Sequence, residues 1–248
     1  MNKILSSIQF LTILRFKEID ENDLPYSLIF FPLCGLIIGF LSLIINKYLL
    51  KFLSLIFVDT ITVFFIIFIT GAIHIDGVSD TFDGIFGGKN KNEILKIMRD
   101  KNIGCFGVLS ILFVVLSKIF LLNSIKNFKF QTIILFPILS RWAIVYSIYF
   151  FNYARDYGKA KIFFDNINGK IFIYSTILSC VLIFLSGGIN SLSLFLPVII
   201  LTYILNKFFS KKIGGLTGDT IGAIVEFNEI LILLIISIFN GKIIKAWW

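Results

Sequence analysis

The stretch Ile61-Thr-Val-Phe-Phe-Ile-Ile-Phe-Ile-Thr70 carries no charge, and it runs straight into Gly71-Ala-Ile-His-Ile-Asp-Gly-Val-Ser-Asp-Thr-Phe-Asp-Gly84, which holds a histidine and three aspartates. The first piece lacks the in-out alternation of a barrel strand. In hydrocarbon, backbone groups must find their partners within the segment, so an unbroken apolar run of this kind is a helix. The rest of the chain agrees. Hydrophobic residues make up 57% and charged residues 15% of its 248 positions, against about 25% charged in soluble domains, and the mean hydropathy is +0.93. A water-soluble chain of this length could not hide so much apolar surface. The expected fold is all-α, a polytopic membrane helical bundle that forms one membrane domain over residues 1–248, with no linker, low-complexity tract or internal repeat. The net charge of +8 is carried by short clusters between apolar runs rather than along one face, which argues for loop flanking and against nucleic acid. Cys34, Cys105 and Cys180 are isolated in apolar sequence and lack metal-ligand spacing, so they read as packing residues. Met1 to Phe16 has a short apolar stretch without a small-residue cleavage site, so no cleavable signal is expected.

A hydrocarbon core about 30 Å thick needs about 20 apolar residues per helix. Seven candidate spans follow, at 28–46, 53–73, 103–122, 131–151, 170–187, 192–206 and 221–240. With the N-terminus inside, the connections divide the 23 Lys and Arg residues unevenly. Lys3, Arg15, Lys17, Lys89, Lys91, Lys96, Arg99, Lys101, Arg155, Lys159, Lys161, Lys170, Lys207, Lys211 and Lys212 fall inside, fifteen in all. Only Lys47, Lys51, Lys126, Lys129, Lys242 and Lys245 fall outside, and Lys118 and Arg141 lie within spans. The positive-inside rule therefore puts the N-terminus and the longest connection, residues 74–102, in the cytoplasm. Asp76, Asp80, Asp83, Asp100 and Asp219 share that side and can converge on one site.

In helical register, Asp80 and Asp83 lie about +40° and about −20° from Asp76, so the three carboxylates share a face. Three like charges on one face repel, and a divalent cation compensates them directly. Mg²⁺ suits such a set, because one or two carboxylates hold it while waters and phosphates complete its shell. Asp76, Asp80 and Asp83 are the candidate metal ligands; the bland alternative is a helix cap followed by solvated loop acids. His74 is a candidate general base and equally an interfacial, hydrogen-bonded histidine. Asn90-Lys-Asn-Glu93 has capping-box spacing and opens a short helix through Arg99. Arg99 and Lys101 are candidate phosphate contacts or ordinary flanking cations, and Asp100 between them is not called for by membrane orientation.

In Lys211-Lys-Ile-Gly-Gly-Leu-Thr-Gly-Asp219, a Gly-rich turn leads into a helix, so Gly215 and Thr217 are candidates to approach a phosphate, with ordinary N-capping by Thr217 or Asp219 as the alternative. Glu226 shares a face with Asp219, and Glu229 lies beyond it. Arg141, inside the fourth span, requires an acid or a substrate phosphate as partner. Tyr153-Ala-Arg-Asp-Tyr-Gly-Lys159 is a polar, aromatic cytoplasmic loop suited to a nucleotide or corrinoid edge, or is simply a loop.

Taken in order, these segments resemble the adenosylcobinamide-GDP ribazoletransferase family, also called cobalamin synthases. The resemblance rests on Gln9-Phe-Leu-Thr12, Phe31-Pro-Leu-Cys-Gly-Leu-Ile-Ile-Gly39, His74 through Gly84, Ile97-Met-Arg-Asp-Lys-Asn-Ile-Gly-Cys-Phe-Gly107, Arg141-Trp142, Tyr153-Ala-Arg155 and Gly214-Gly-Leu-Thr-Gly-Asp219. It implies an enzyme of the bacterial cytoplasmic (inner) membrane with its active site facing the cytoplasm. The implied reaction is attack of the ribose hydroxyl of α-ribazole, or of its 5′-phosphate, on adenosylcobinamide-GDP, which releases GMP and forms adenosylcobalamin or its 5′-phosphate. Mg²⁺ is the implied cofactor, held on the pyrophosphate by Asp76, Asp80 and Asp83. Asp80, Asp83, Asp219 and His74 form the catalytic set, with Asp219 or His74 taking the hydroxyl proton, and Arg99, Lys101, Arg141, Gly215 and Thr217 contact the substrate phosphates. The expected partners are the two small-molecule substrates and the lipid bilayer; a homo-oligomer is left open.

Two other readings compete. A CDP-alcohol phosphotransferase would share the Asp80-Thr-Phe-Asp83-Gly84 opening, but Gly87-Gly88 stand where that family has Ala-Arg, and its second acidic element is absent. An ion-coupled transporter would use intramembrane acids, but here they cluster near span ends and no repeat is visible.

Overall fold

The computed structural model describes residues 2–16 and 23–244; Lys17 and Lys245 lie outside them. Helix α1 spans Asn2–Leu11. Helix α2 (Leu24–Ser27) passes through a 3-10 turn at Leu28–Phe30 into α3 (Phe31–Leu49). There follow α4 (Leu55–Ile69), α5 (Ile73–Gly87), α6 (Lys91–Ile97), α7 (Cys105–Ser124), α8 (Lys129–Phe150), α9 (Lys161–Asn166) and α10 (Gly169–Gly187). A 3-10 segment at Ile189–Leu194 leads α11 (Phe195–Ile213), and α12 is Gly218–Ile238. Among the described residues the only strand-like feature is an isolated bridge between Tyr153 and Leu216.

Among the described residues six rods are long and apolar enough to cross a membrane: Leu24–Leu49, Cys105–Ser124, Lys129–Phe150, Gly169–Gly187, Ile189–Ile213 and Gly218–Ile238. The expected second span departs from this pattern. Helices α4 and α5 reach spanning length only together, and they meet at a bend of 85°. Gly71 and Ala72 adopt left-handed backbone at φ 62° and 57°. Their amides return to Phe68 and Ile67 carbonyls at 2.9 Å and so close the end of α4. The connection expected over residues 74–102 is therefore two helices, α5 and α6. The rod Ile189–Ile213 extends beyond the sixth expected span, 192–206, because Asn206 is not its end: this buried amide donates to Ser147 Oγ at 3.0 Å.

Helix α8 is the axis of the bundle and is buried along most of its length. Helix α3 crosses it with backbone close to backbone, because Gly35 and Gly39 face Pro137–Ile138 and Ile133–Ile134, where a Cβ would collide. Lipid offers no hydrophobic drive between helices, so small residues at a crossing supply contact instead. On another side of α8, buried ions join α7, α8 and α12. Lys118 pairs with Glu226 and, at 2.5 Å, with Glu229; Arg141 pairs with Glu229 and donates to Ser140 Oγ at 2.8 Å. Two cations face two anions, so the group is neutral, and each member is at most 5% exposed. A second buried set sits at the far end of α7, where Lys129 and Asn123 donate to Asp59 at 2.6 and 3.0 Å.

Candidate active site

The acidic helix α5 lies directly against the first turns of α12. Gly77 faces Asp219 so closely that a Cβ would stand 2.6 Å from its carbonyl oxygen, and Gly222 faces the backbone of His74. Two Cβ-free positions thus let Asp76, Asp80 and Asp219 occupy one surface. Asp76 is exposed and Asp80 half-buried. Asp80 lies within the field of Asp219, Asp76, Asp83 and Arg155. Among the described residues neither Asp76 nor Asp80 accepts a hydrogen bond or pairs with a cation. Asp219 is held: Arg155 Nη2 donates to its Oδ2 at 2.8 Å, and Thr217 Oγ1 reaches the same oxygen at 3.3 Å. Among the described residues its other oxygen accepts no hydrogen bond.

Asp83 is oriented differently from its two neighbours. It is buried, and its oxygens accept the backbone N–H groups of Gly104 and Gly107, each at 2.7 Å. These amides belong to the start of α7, where helical N–H groups lack intrahelical partners and a negative charge is favoured. A Cβ at Gly104 or Gly107 would strike the carboxylate. Asp83 therefore fixes α7 to α5 and keeps the end of the acidic face in place.

The other candidates separate into those near this face and those beneath it. Thr217 is a buried N-cap in a reciprocal capping box with Thr220. Gly215, at φ 156°, lets the turn approach residues 152–154, where Leu216 N donates to Asn152 O at 2.8 Å and Ala154 N to Leu216 O at 2.7 Å. Both residues shape the turn that presents Asp219. His74 is buried beside the ionic network, feels Arg141, Glu229 and Lys118, and leaves its Nε2 without a partner among the described residues. Arg141 has the acid partner its depth requires, Glu229, and lies within the bundle. Asp100 closes a local turn by accepting Asn102 N and Nδ2 at 3.0 and 2.8 Å, bonds that hold its carboxyl below the ordinary range. Lys101 is exposed in that same turn.

Arg99 faces Tyr157, donating to its hydroxyl at 2.5 Å with the guanidinium carbon 4.4 Å from the ring centroid. The expected capping box forms only in part: Asn90 Oδ1 accepts Glu93 N at 3.1 Å, whereas Glu93 Oε2 accepts Lys89 N, one residue before the N-cap, at 2.9 Å. Between α6 and residues 154–157 opens a cavity of about 530 Å³, within the usual range for small-molecule sites. Arg155 lines this cavity and also pairs with Asp219, so a basic hollow and an acidic face adjoin through one ion pair. In the sequence Arg155 stands out as part of a polar loop and of the Tyr153-Ala-Arg155 motif, but its pairing depends on the fold.

Among the described residues no three His, Cys, Asp or Glu side chains gather into a complete metal cage. Asp76 and Asp80 are nevertheless hard oxygen donors without partners among the described residues, which fits a Mg²⁺ ion held by one or two carboxylates and completed by phosphate oxygens and water.

The comparisons with known proteins agree over nearly the whole chain. Residues 3–237 match the family model described as cobalamin-5-phosphate synthase. A protein of Alkaliphilus metalliredigens named adenosylcobinamide-GDP ribazoletransferase is 34% identical over 244 residues, covering 97% of each chain. Proteins of the same name from Thermoanaerobacter pseudethanolicus and Clostridium acetobutylicum are 35% and 36% identical. They cover 94% of this chain and 96% and 94% of their own lengths. No solved structure matches the chain. An ordered set of motifs, a helical bundle that sets Asp76, Asp80 and Asp219 on one surface, and similarity running from residue 3 to residue 237 together make this chain a member of the cobalamin-5-phosphate synthase family.

Proposed function

We propose that this chain is a Mg²⁺-dependent adenosylcobinamide-GDP ribazoletransferase, working from the cytoplasmic side of a bacterial inner membrane. It joins the adenosylcobinamide phosphate of adenosylcobinamide-GDP to a ribose hydroxyl of α-ribazole or its 5′-phosphate, and it releases GMP. The observation that carries this reading is the pairing of unlike surfaces: carboxylates without partners on α5 and a cation-lined hollow beside them, joined by Arg155 and Asp219. A pyrophosphate donor needs both, and an ion-coupled transporter needs neither at a helix end.

Asp76 and Asp80 would hold the ion, whose contribution when bound is to neutralise charge on the pyrophosphate. Asp83 holds α5 against α7. Asp219 Oδ1 is the uncommitted oxygen beside this face and takes the proton from the attacking hydroxyl, while Arg155 keeps the carboxylate oriented through Oδ2. Arg99 and Arg155 face the phosphates, in keeping with chemistry in which a protein chiefly positions reactants and balances charge. Lys101 and Arg141 lie further off: Lys101 is free to reach in from its turn, and Arg141 supports the floor through Glu229. The cytoplasmic orientation is supported by the surplus of Lys and Arg in connections at the site end.

The test is to incubate purified protein with adenosylcobinamide-GDP, α-ribazole and Mg²⁺ and identify the corrinoid product by mass. Adenosylcobalamin is expected; an unchanged donor would refute the assignment.

A further inference from the structure

Four cations from two separate segments meet around one hollow. Lys91, Lys96 and Arg99 come from α6 and the turn after it, and Arg155 comes from the segment following α8. Against them stands the single acid Asp156, which leaves a lining charge of +3. Loop flanking by the positive-inside rule would scatter cations over a surface; it gives no reason for residues 91–99 and 155 to converge on a concavity. Three details distinguish the hollow from a basic patch. Arg99 is held by the hydroxyl and ring of Tyr157. Arg155 is anchored by Asp219 at one end, while its Nε is buried without a hydrogen-bond partner among the described residues. Tyr157 keeps 69% of its surface exposed, and no other ring packs on it among the described residues.

This combination suits a nucleoside 5′-monophosphate. Its phosphate carries about −1.5 to −2 charges near neutral pH, which the net +3 of the lining more than offsets, and its base is a flat partner for an exposed aromatic ring held by an arginine. The acidic face next door would repel the same group unless a divalent ion lay between.

We infer that the hollow bounded by Lys91, Lys96, Arg99, Arg155 and Tyr157 holds the guanosine 5′-phosphate half of the donor and retains GMP after transfer. The inference rests on the transferase reading and adds a division of labour to it. The ribose oxygen bonds to the corrinoid-side phosphorus, and its proton passes to Asp219. The bond from that phosphorus to the bridging oxygen breaks, and the electron pair stays on the phosphate of GMP. The cations of the hollow stabilise that departing charge. GMP consequently competes with adenosylcobinamide-GDP and not with α-ribazole.

The test measures binding of labelled GMP to purified, detergent-solubilised protein by equilibrium dialysis without corrinoid, beside turnover in the same preparation. Lys96→Ala, Arg99→Ala and Tyr157→Ala change exposed side chains, and size-exclusion profiles check that each variant remains folded. Wild-type protein is expected to bind GMP, with guanosine at least about tenfold weaker. Each cation variant should lose about tenfold or more in GMP affinity, the scale of one charge-assisted hydrogen bond. Tyr157→Ala should weaken GMP but leave competition by inorganic phosphate nearly unchanged. Wild-type turnover combined with no GMP binding, or with variants that bind GMP as wild type does, overturns the hollow and leaves the transferase reading standing. Absence of turnover with GMP binding that the variants lose overturns the transferase reading and keeps a nucleotide site.

Discussion

Substitution of Asp83 separates its structural role from that of a metal ligand. In Asp83→Asn the side chain keeps its shape, but one oxygen becomes an NH₂ group, which faces a backbone N–H that has lost its acceptor. The native carboxylate accepts two amides at 2.7 Å and is 9% exposed, so water cannot substitute for it readily. A hydrogen bond to a charged group contributes about 1.5–3 kcal/mol net. Asparagine preserves at most one of the two and leaves one donor facing another, so a loss of about 3 kcal/mol is expected. For a chain of about 150–250 residues, 1 kcal/mol moves the midpoint by about 2–4 °C, which places the shift at about 6–12 °C. The assay is thermal melting of detergent-solubilised protein, followed by the Mg²⁺ dependence of turnover below the melting range. The expected result is a lowered midpoint with an unchanged Mg²⁺ requirement, whereas Asp80→Asn should keep the midpoint and lose Mg²⁺-dependent turnover. A midpoint unchanged in Asp83→Asn, together with a raised Mg²⁺ requirement, would refute the anchoring role.

Arg141→Met leaves Glu229 with one of its two cations, and breaking a buried ionic group of this kind costs about 3–5 kcal/mol; a fall in melting midpoint checks it. Gly77→Ala places a methyl 2.6 Å from the Asp219 carbonyl, which must push α5 off α12. The cost is about 1–3 kcal/mol, and turnover should fall because Asp80 and Asp219 move apart; kinetics and melting on one preparation read both. Chelation by EDTA should abolish turnover without shifting the elution profile, and added Mg²⁺ should restore it.

Several features are legible in the sequence because they depend on neighbours in the chain. The apolar runs mark the rods, and the helix caps at Asn90 and Thr217 involve residues three apart. The demand of Arg141 for an acid follows from its depth alone, and Glu229 meets it. The bend after Ile69 is not legible, since left-handed backbone at Ala72 is costly locally and is imposed by the packing of α5 on α7 and α12. Helical register places Asp83 beside Asp76 and Asp80 but cannot show that the start of α7 covers only the last of them. Lys118 is visible as a charge within a span, yet its partner Glu229 stands 111 positions away. Arg155 stands in a motif of the resemblance, yet its partner is not legible until α12 brings Asp219 beside it.

The most direct test of the central claim is the joint quantification of GMP and corrinoid product from purified protein, with each substrate omitted in turn. The account predicts one GMP for each adenosylcobalamin formed, and none when α-ribazole or the divalent ion is left out. GMP released without α-ribazole would make the site a pyrophosphate hydrolase, and release without any corrinoid product would contradict transfer altogether.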